Sequence, residues 1–305
     1  LEKESERLLK LLSNIVDTKL EINRELSLLT TMGLSSVGNS VEVYTVEALK
    51  KLLPILSQNK IPYRVIGRGA NTLLPKFCTE LIIVIKFQFN EASVDFTKES
   101  FSLPASLLLA KAVSMAANYK LKDWDKVAGI PATLGGAVVT NAGTSRGEIS
   151  ELLLSVTVID TAGVQKKIMV EEGMFSYRNS TILKQGEGEV IIEVEFKNVG
   201  MDDTVSDKIN KYLEERKSSQ PLDKKTCGCV FKNYEGGVTC RAGKYIDIMG
   251  MKGFKTKNLA ISLKHANFVE HTGGASLDDF LMLNIFVKDE LRQHFGITFE
   301  NEVII

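Results

Sequence analysis

The residues best suited to chemistry fall into two small-residue stretches and a few polar positions. Ala128 to Gly143 reads AGIPATLGGAVVTNAG, with no charge between Lys126 and Arg146. Small residues let another group approach the backbone, and glycine also permits φ > 0. Backbone N–H groups without side-chain bulk suit a phosphate. The same composition also suits a tight turn in a close-packed core. A second stretch, Gly67-Arg68-Gly69-Ala70-Asn71-Thr72, follows a short apolar run. It could expose N–H donors to an anion or form a plain β-turn. Arg178, in Tyr177-Arg178-Asn179-Ser180, is either a surface ion-pair partner or a planar, always-charged fork for a carboxylate. Cys227, Cys229 and Cys240 could suggest a metal, but the spacing is wrong for a common zinc knuckle. His265 and His271 are distant, so no metal is expected and buried thiols are the plainer reading. Glu300 and Glu302, in an apolar tail, would ordinarily be solvated charges.

These residues need elements to hold them. Leu8, Leu12, Ile15 and Lys19 recur at helical spacing. Val41–Tyr44 reads as a strand, and Thr45 can cap a helix through Leu56 that Pro54 should kink or shorten. Tyr63–Ile66 then completes a βαβ unit that runs into Gly67. Leu81–Phe87 is the next buried strand. Ala105–Asn118 reads as a helix with Leu108, Ala112, Met115 and Ala116 inward, leading into the 128–143 stretch. Ser155–Asp160, Lys166–Val170 and Val190–Phe196 read as strands, the last with Ile192, Val194 and Phe196 alternating against charged residues. Thr204–Arg216 is an amphipathic helix with Val205, Ile209 and Tyr212 inward and Asp207 in a capping-box position. Ser276 and Asp279 cap a final helix that buries Phe280, Leu283, Val287 and Leu291.

The wording of the stretches is more specific than their composition. Gly129, Ile130, Pro131, Thr133, Gly135, Gly136, Ala137, Asn141, Ala142 and Gly143 resemble the flavin-binding core of the UDP-N-acetylenolpyruvoylglucosamine reductase family. Ala132 stands where that family usually has Gly. Gly67–Thr72 resembles the family's G-x-G-S-N-L loop on the flavin pyrophosphate, with Ala70 in place of Ser. Tyr177 and Arg178 resemble its Y-R-x-S motif, and Gly228-Cys229-Val230-Phe231-Lys232-Asn233 its G-S-x-F-K-N motif, with Tyr234 replacing the usual Pro. Ala242–Asp247, Gly250–Gly253, His265–Phe268 and the terminal Glu302-Val303 pair recur in the same order.

The resemblance implies an α/β (α+β) fold of three domains. Residues 1–89, with 298–305 returning, and 90–199 would form an FAD-binding module of the vanillyl-alcohol-oxidase type. Residues 200–297 would bind substrate. It implies FAD, with NADPH as reductant, and reduction of UDP-N-acetylglucosamine enolpyruvate to UDP-N-acetylmuramate for peptidoglycan synthesis. Arg178 would meet the enolpyruvyl group, Cys229 would donate the proton, and Glu302 would reach the active site, with Glu300 as fallback. A free thiol is mostly protonated at neutral pH yet far more acidic than an alcohol. Lys217, Lys232, Asn233 and Lys252 are candidate diphosphate and sugar contacts. The short step from Arg178 to Cys229 points to the branch without the long Tyr-bearing substrate loop. The rivals are another FAD-linked oxidoreductase of the same fold, or a flavin-binding protein without catalysis.

Composition bounds these readings. The chain has 305 residues, 44% hydrophobic and 25% charged, with 38 basic against 38 acidic side chains. Balanced charge gives no general pull toward nucleic acid or anionic membrane. No apolar run approaches the roughly 20 residues needed to span a bilayer. Four cysteines are too few for a disulfide scaffold. A cytoplasmic monomer is expected, with a charged N-terminal stretch that is not a signal peptide.

Overall fold

The computed structural model describes residues 2–183, 188–236 and 238–305, leaving aside the side chains of 2–4, 235, 236, 238 and 239. The chain forms two compact units, each assembled from separated segments. The first comprises Leu1–Arg24, Asn39–Arg68 and Thr79–Leu213. The second comprises Glu25–Gly38, Gly69–Cys78 and Glu214–Ile305.

The first unit opens with helix α1, Glu2–Leu12, which buries Leu8 and Leu12. The helix stops well short of Lys19. Asp17 takes a left-handed φ of 61°, and strand β1, Thr18–Glu25, follows. Its alternation of apolar and charged residues had been hidden in the helical spacing of the residues before it. Strand β2 spans Val37–Val43, helix α2 Val46–Gln58, strand β3 Tyr63–Val65 and strand β4 Leu81–Ile85. The sheet order is β1-β2-β4-β3, with β2 and β3 both parallel to β4. The apolar run of β4 suits a parallel strand covered on both faces. The βαβ unit is therefore real, but β4 lies between its two strands.

Thr45 caps α2, its Oγ1 accepting the Ala48 N–H at 3.2 Å. Pro54 does not shorten the helix, which runs to Gln58. Proline removes the N–H that would bond the carbonyl four residues back, here that of Lys50. That carbonyl faces the turn at Gly163, where a Cβ would come within 2.5 Å of it.

A second sheet of the first unit is antiparallel. Its order is β5 (Ser100–Pro104), then Val190–Lys197, Leu153–Ile159 and Gln165–Met169. β5, SFSLP, lacks the continuous apolar run that marks β4 at the same length. Ile192, Val194 and Phe196 are buried, as alternation requires, but Val190 and Ile191 are buried too. A register shift after Ile191 breaks the alternation. Val190 and Ile192 join the apolar core around α1 and α2, while Ile191, Val194 and Phe196 join a second core around Trp124. Phe101 stacks there on Trp124 and Phe196 at centroid distances of 6.2 and 5.9 Å, and Trp124 and Phe196 meet tilted at 4.9 Å. Helix α3, Leu109–Asn118, starts later than the apolar pattern suggested. Leu108 is its exposed N-cap, not an inner-face residue. Helix α4 is short, Leu134–Val139, and helix α5 spans Val205–Ser219 with Val205, Ile209 and Tyr212 buried. The Thr204 N–H and hydroxyl bond Asp202 at its entry, the capping part given to Asp207 in the sequence.

The second unit packs helices α6, Ala242–Ile248, and α7, Leu277–Phe295, over one apolar core. Ser276 and Asp279 form the expected capping box of α7. Gly296, at φ 66°, ends it. Phe280, Leu283, Val287 and Leu291 are buried. The C-terminal tail returns to residues 71–73 through a single bridge. The Leu73 N–H donates to Ile304 O and the Ile304 N–H to Asn71 O, both at 2.9 Å. That early segment belongs to the second unit.

Candidate active site

The first unit brings its two glycine-bearing segments into contact. A Cβ on Gly67, just after β3, would lie 2.2 Å from the Thr133 hydroxyl. Thr133 in turn caps α4, its Oγ1 accepting the Gly136 N–H at 3.3 Å. Glycine at 67 is thus required by that close approach. The 128–143 stretch does not present a row of free N–H groups here. Leu134 donates to Leu107 O at 2.9 Å and Gly135 to Ala105 O at 2.8 Å. What it offers is shape. Between the buried Ala128 and Thr133, Gly129, Ile130 and Ala132 are half-buried and Pro131 is exposed, and Gly135 and Gly136 beyond are half-buried again. A Cβ at Gly136 would meet only the Thr133 hydroxyl, at 3.3 Å. A small-residue rim of this kind fits a flat or extended cofactor such as FAD. Ala137 and Ala142 are buried, and Gly67 and Arg68 are exposed.

Asn141 is fully buried with φ 44°. Its side-chain amide donates to the Glu148 carboxylate and to Ser176 O, and its Oδ1 accepts the Ser150 N–H. Both amide hydrogens are therefore spent inside the protein, and its side chain has no donor for a cofactor. Gly143 pairs with Glu148 across a tight hairpin. A Cβ on Gly143 would come 2.7 Å from the Glu148 side chain, so this glycine is explained by packing.

Arg178 and Tyr177 form the turn of another hairpin, whose arms are Phe175–Ser176 and Asn179–Ser180. Arg178 takes φ 52°, a conformation that favours glycine. Its Nη2 donates to Gly143 O at 2.8 Å, and its Nη1 lies 3.7 Å from the Glu148 carboxylate. The guanidinium sits 5.0 Å from the Tyr177 ring centroid.

In the second unit, Cys229 and Glu302 are brought together through the backbone. Cys229 bridges Phe268, the Val230 N–H donates to Asn267 O at 2.9 Å, and the Glu302 N–H donates to Val230 O at 2.8 Å. Asn71 Nδ2 donates to Glu302 O at 3.0 Å, joining the early loop to the tail. Ala70, Asn71 and Thr72 are half-buried here. Gly69, at φ 64°, lies so close to the Leu29 carbonyl that a Cβ would sit 2.1 Å from it.

The two thiols of the Cys227-Gly228-Cys229 turn differ. Cys227 is buried, which pushes its thiol up to about 12, and the Glu302 charge adds to the shift. Cys229 is only half-buried. Gly228 beside it has φ 76°, and the nearest atom to a Cβ there is Ala70 O, at 3.9 Å. Cys229 is thus the reachable thiol of the pair. Among the described residues no group of three His, Cys, Asp or Glu side chains is arranged to hold a metal.

Glu300 is 82% exposed and pairs with Lys232 at 3.6 Å, whereas Glu302 is half-buried. Asn233 Oδ1 accepts the Ala242 N–H at 3.1 Å and so starts α6. Lys252 pairs with Asp247 at 2.8 Å. Lys217 is exposed near the end of α5, and its carbonyl accepts Lys264 Nζ at 3.1 Å. His265 is structural: its Nδ1 accepts the Asn267 N–H at 3.2 Å, and burial holds its pKa below the usual value. Asn267, missed in the sequence, makes two hydrogen bonds to the Phe231 backbone, at 3.0 and 2.8 Å. Its place in His265–Phe268 was visible; its job of bracing the Cys229 segment was not.

Comparison with known proteins agrees with this arrangement. Residues 40–168 match an FAD-binding domain, and residues 220–305 match the C-terminal domain of UDP-N-acetylenolpyruvoylglucosamine reductase. The chain is 31% identical over 274 residues to the UDP-N-acetylenolpyruvoylglucosamine reductase of Clostridium tetani, covering 88% of this chain and 87% of that one. It is 33% identical over 289 residues to that of Aquifex aeolicus, covering 92% and 93%. The crystal structure of the Thermus caldophilus reductase superposes with a TM-score of 0.77 at 31% identity, covering 94% of this chain and 97% of that one. With an FAD-binding domain, the reductase C-terminal domain and similarity running over most of its length, the chain is an FAD-dependent oxidoreductase and belongs to the UDP-N-acetylenolpyruvoylglucosamine reductase family.

Proposed function

We propose that this protein reduces UDP-N-acetylglucosamine enolpyruvate to UDP-N-acetylmuramate, with NADPH as the reductant, as a step of peptidoglycan synthesis. The observation that carries the reading is the reachable Cys229 thiol on the same backbone pairing as Glu302, in a chain of this family. Two subdomains of the vanillyl-alcohol-oxidase type would hold FAD, and 200–297 would receive the substrate. Gly67–Thr72, Gly129–Ala137 and Ala142–Gly143 would line the cofactor.

FAD, when bound, supplies the hydride chemistry that links NADPH to the enolpyruvyl group. Arg178 would bind the substrate carboxylate through its planar fork and stabilise negative charge developing beside it. Cys229 Sγ–H would give its proton to the α-carbon. Glu302, close enough to act on the buried Cys227, would help polarise the enolate when protonated or bridged through another donor. Lys217, Lys232, Asn233 and Lys252 would meet the diphosphate and sugar.

The test is spectroscopic. FAD-loaded protein should bleach with NADPH under anaerobic conditions and recover its flavin spectrum when UDP-N-acetylglucosamine enolpyruvate is added. Cys229→Ala should bleach at a rate within about twofold of the parent and fail in turnover. A flavin reoxidised only by oxygen would mark a different oxidoreductase, and full turnover by the alanine variant would remove Cys229 from the chemistry. A protein that takes up no FAD would leave only ancestry.

A further inference from the structure

We infer that Glu148 is a positioning residue that holds the Arg178 guanidinium in the orientation needed to bind a carboxylate. The inference rests on the proposed role of Arg178 and adds a residue to it. Nothing in the sequence around Glu148 suggests the role, because the two residues lie on different hairpins.

Glu148 reaches Arg178 by two routes. Its carboxylate lies 3.7 Å from Nη1. Its backbone partner across the hairpin is Gly143, whose carbonyl accepts Nη2 at 2.8 Å. One short hairpin therefore engages two nitrogens of the same guanidinium, which fixes the plane of the fork and not only its place. A fork is useful only when its plane is set, because bidentate pairing is directional.

The carboxylate is itself held. The buried Asn141 amide donates to it and, with its other hydrogen, to Ser176 O at 3.0 Å. Ser176 lies two residues before Arg178 on the hairpin arm. The same amide thus ties Glu148 to the strand that carries the arginine. Gly143 has no Cβ because one would collide with the Glu148 side chain, so the hairpin leaves room for this carboxylate. The pair is partly shielded: the side chains of Arg178 and Glu148 are 18% and 28% exposed. Its attraction is less screened than that of a freely exposed pair.

A positioning role differs from simple charge compensation in the sign of its effects. Removing a carboxylate this close to a cation raises local positive charge, so compensation alone predicts tighter binding of an anionic substrate with kcat unchanged. Positioning predicts a loss in the substrate half-reaction, because a displaced fork no longer meets the reacting group.

The experiment uses FAD-loaded protein with Glu148→Gln, which keeps an acceptor for Asn141, and Glu148→Asp, which keeps the charge. Flavin reduction by NADPH should stay within about twofold, while reoxidation by UDP-N-acetylglucosamine enolpyruvate should slow about tenfold or more in the glutamine variant. The aspartate variant should recover part of that loss. In an Arg178→Ala background Glu148→Gln should add nothing further. Independently of activity, the Arg178 Nε–H resonance in a nitrogen-15 spectrum should shift and exchange faster in Glu148→Gln. An unchanged arginine resonance, equal slowing of both half-reactions, or tighter substrate binding with normal kcat would overturn the inference. If the parent protein itself is not reoxidised by the substrate, the proposed function fails, and the arginine resonance alone decides the positioning.

Discussion

Arg178 occupies a backbone conformation that an L-residue adopts at a cost of roughly 1–2 kcal/mol. Such strain persists where surrounding contacts over-determine it, and it gathers at functional positions. The contacts that hold it include Gly143 O, the Glu148 carboxylate and the Tyr177 ring. Arg178→Gly would relieve the strain, lose those contacts, and add about 0.4–1 kcal/mol of unfolded-chain entropy. These effects oppose one another, so the thermal midpoint should change little while reoxidation by substrate is lost. A large fall in the midpoint would show that the contacts stabilise far more than the conformation costs. The residue types of the site were legible in the sequence; the reasons for some were not. Gly143 and Gly67 were read either as open backbone for a ligand or as glycines of packed turns, and each is glycine because a neighbouring protein side chain occupies the Cβ position. No local sequence pattern reports the contact of Gly67 with Thr133, which comes from a distant segment.

Elements were legible where their signals are local. The caps of α2 and α7 involve residues three apart, and both stand as the sequence suggested. β1, β5 and the irregular alternation at Val190–Lys197 depend on partners elsewhere in the chain, so they were missed or simplified. Pro54 shows the same limit. It was expected to kink or shorten α2, but the helix runs on to Gln58 and the turn at Gly163 packs on the released carbonyl. Gly163 also has φ 79°. Gly163→Ala should destabilise the protein by about 1–3 kcal/mol through strain and the clash with Lys50 O. Urea unfolding would measure it, and in Pro54→Ala, which restores the missing N–H, the penalty should change. Equal penalties in both backgrounds would uncouple the turn from the proline.

At the scale of the molecule, the second unit depends on residues distant in sequence. Met32, Leu34 and Leu73 share its core with Phe299 and Val303. Phe299→Ala should cost about 3–5 kcal/mol there. The one tryptophan, Trp124, lies in the core of the first unit and so reports on it alone. In denaturant, Phe299→Ala should bring loss of circular dichroism to lower concentration than loss of the Trp124 signal, with the two transitions separated. Coincident, equally shifted transitions would show that the units unfold as one. Composition allowed several domains, but it carries no sign that segments 25–38 and 69–78 belong with 214–305.

That interleaving has a consequence for biosynthesis. A ribosome makes residues 25–38 and 69–78 long before the segment that covers them. The first unit has all of its residues once Leu213 is made and can close around Trp124 while synthesis continues. Met32, Leu34 and Leu73 must meanwhile wait with their apolar partners unmade. Demand for chaperones, and exposure to proteases, should therefore peak between translation of Leu213 and translation of Val303.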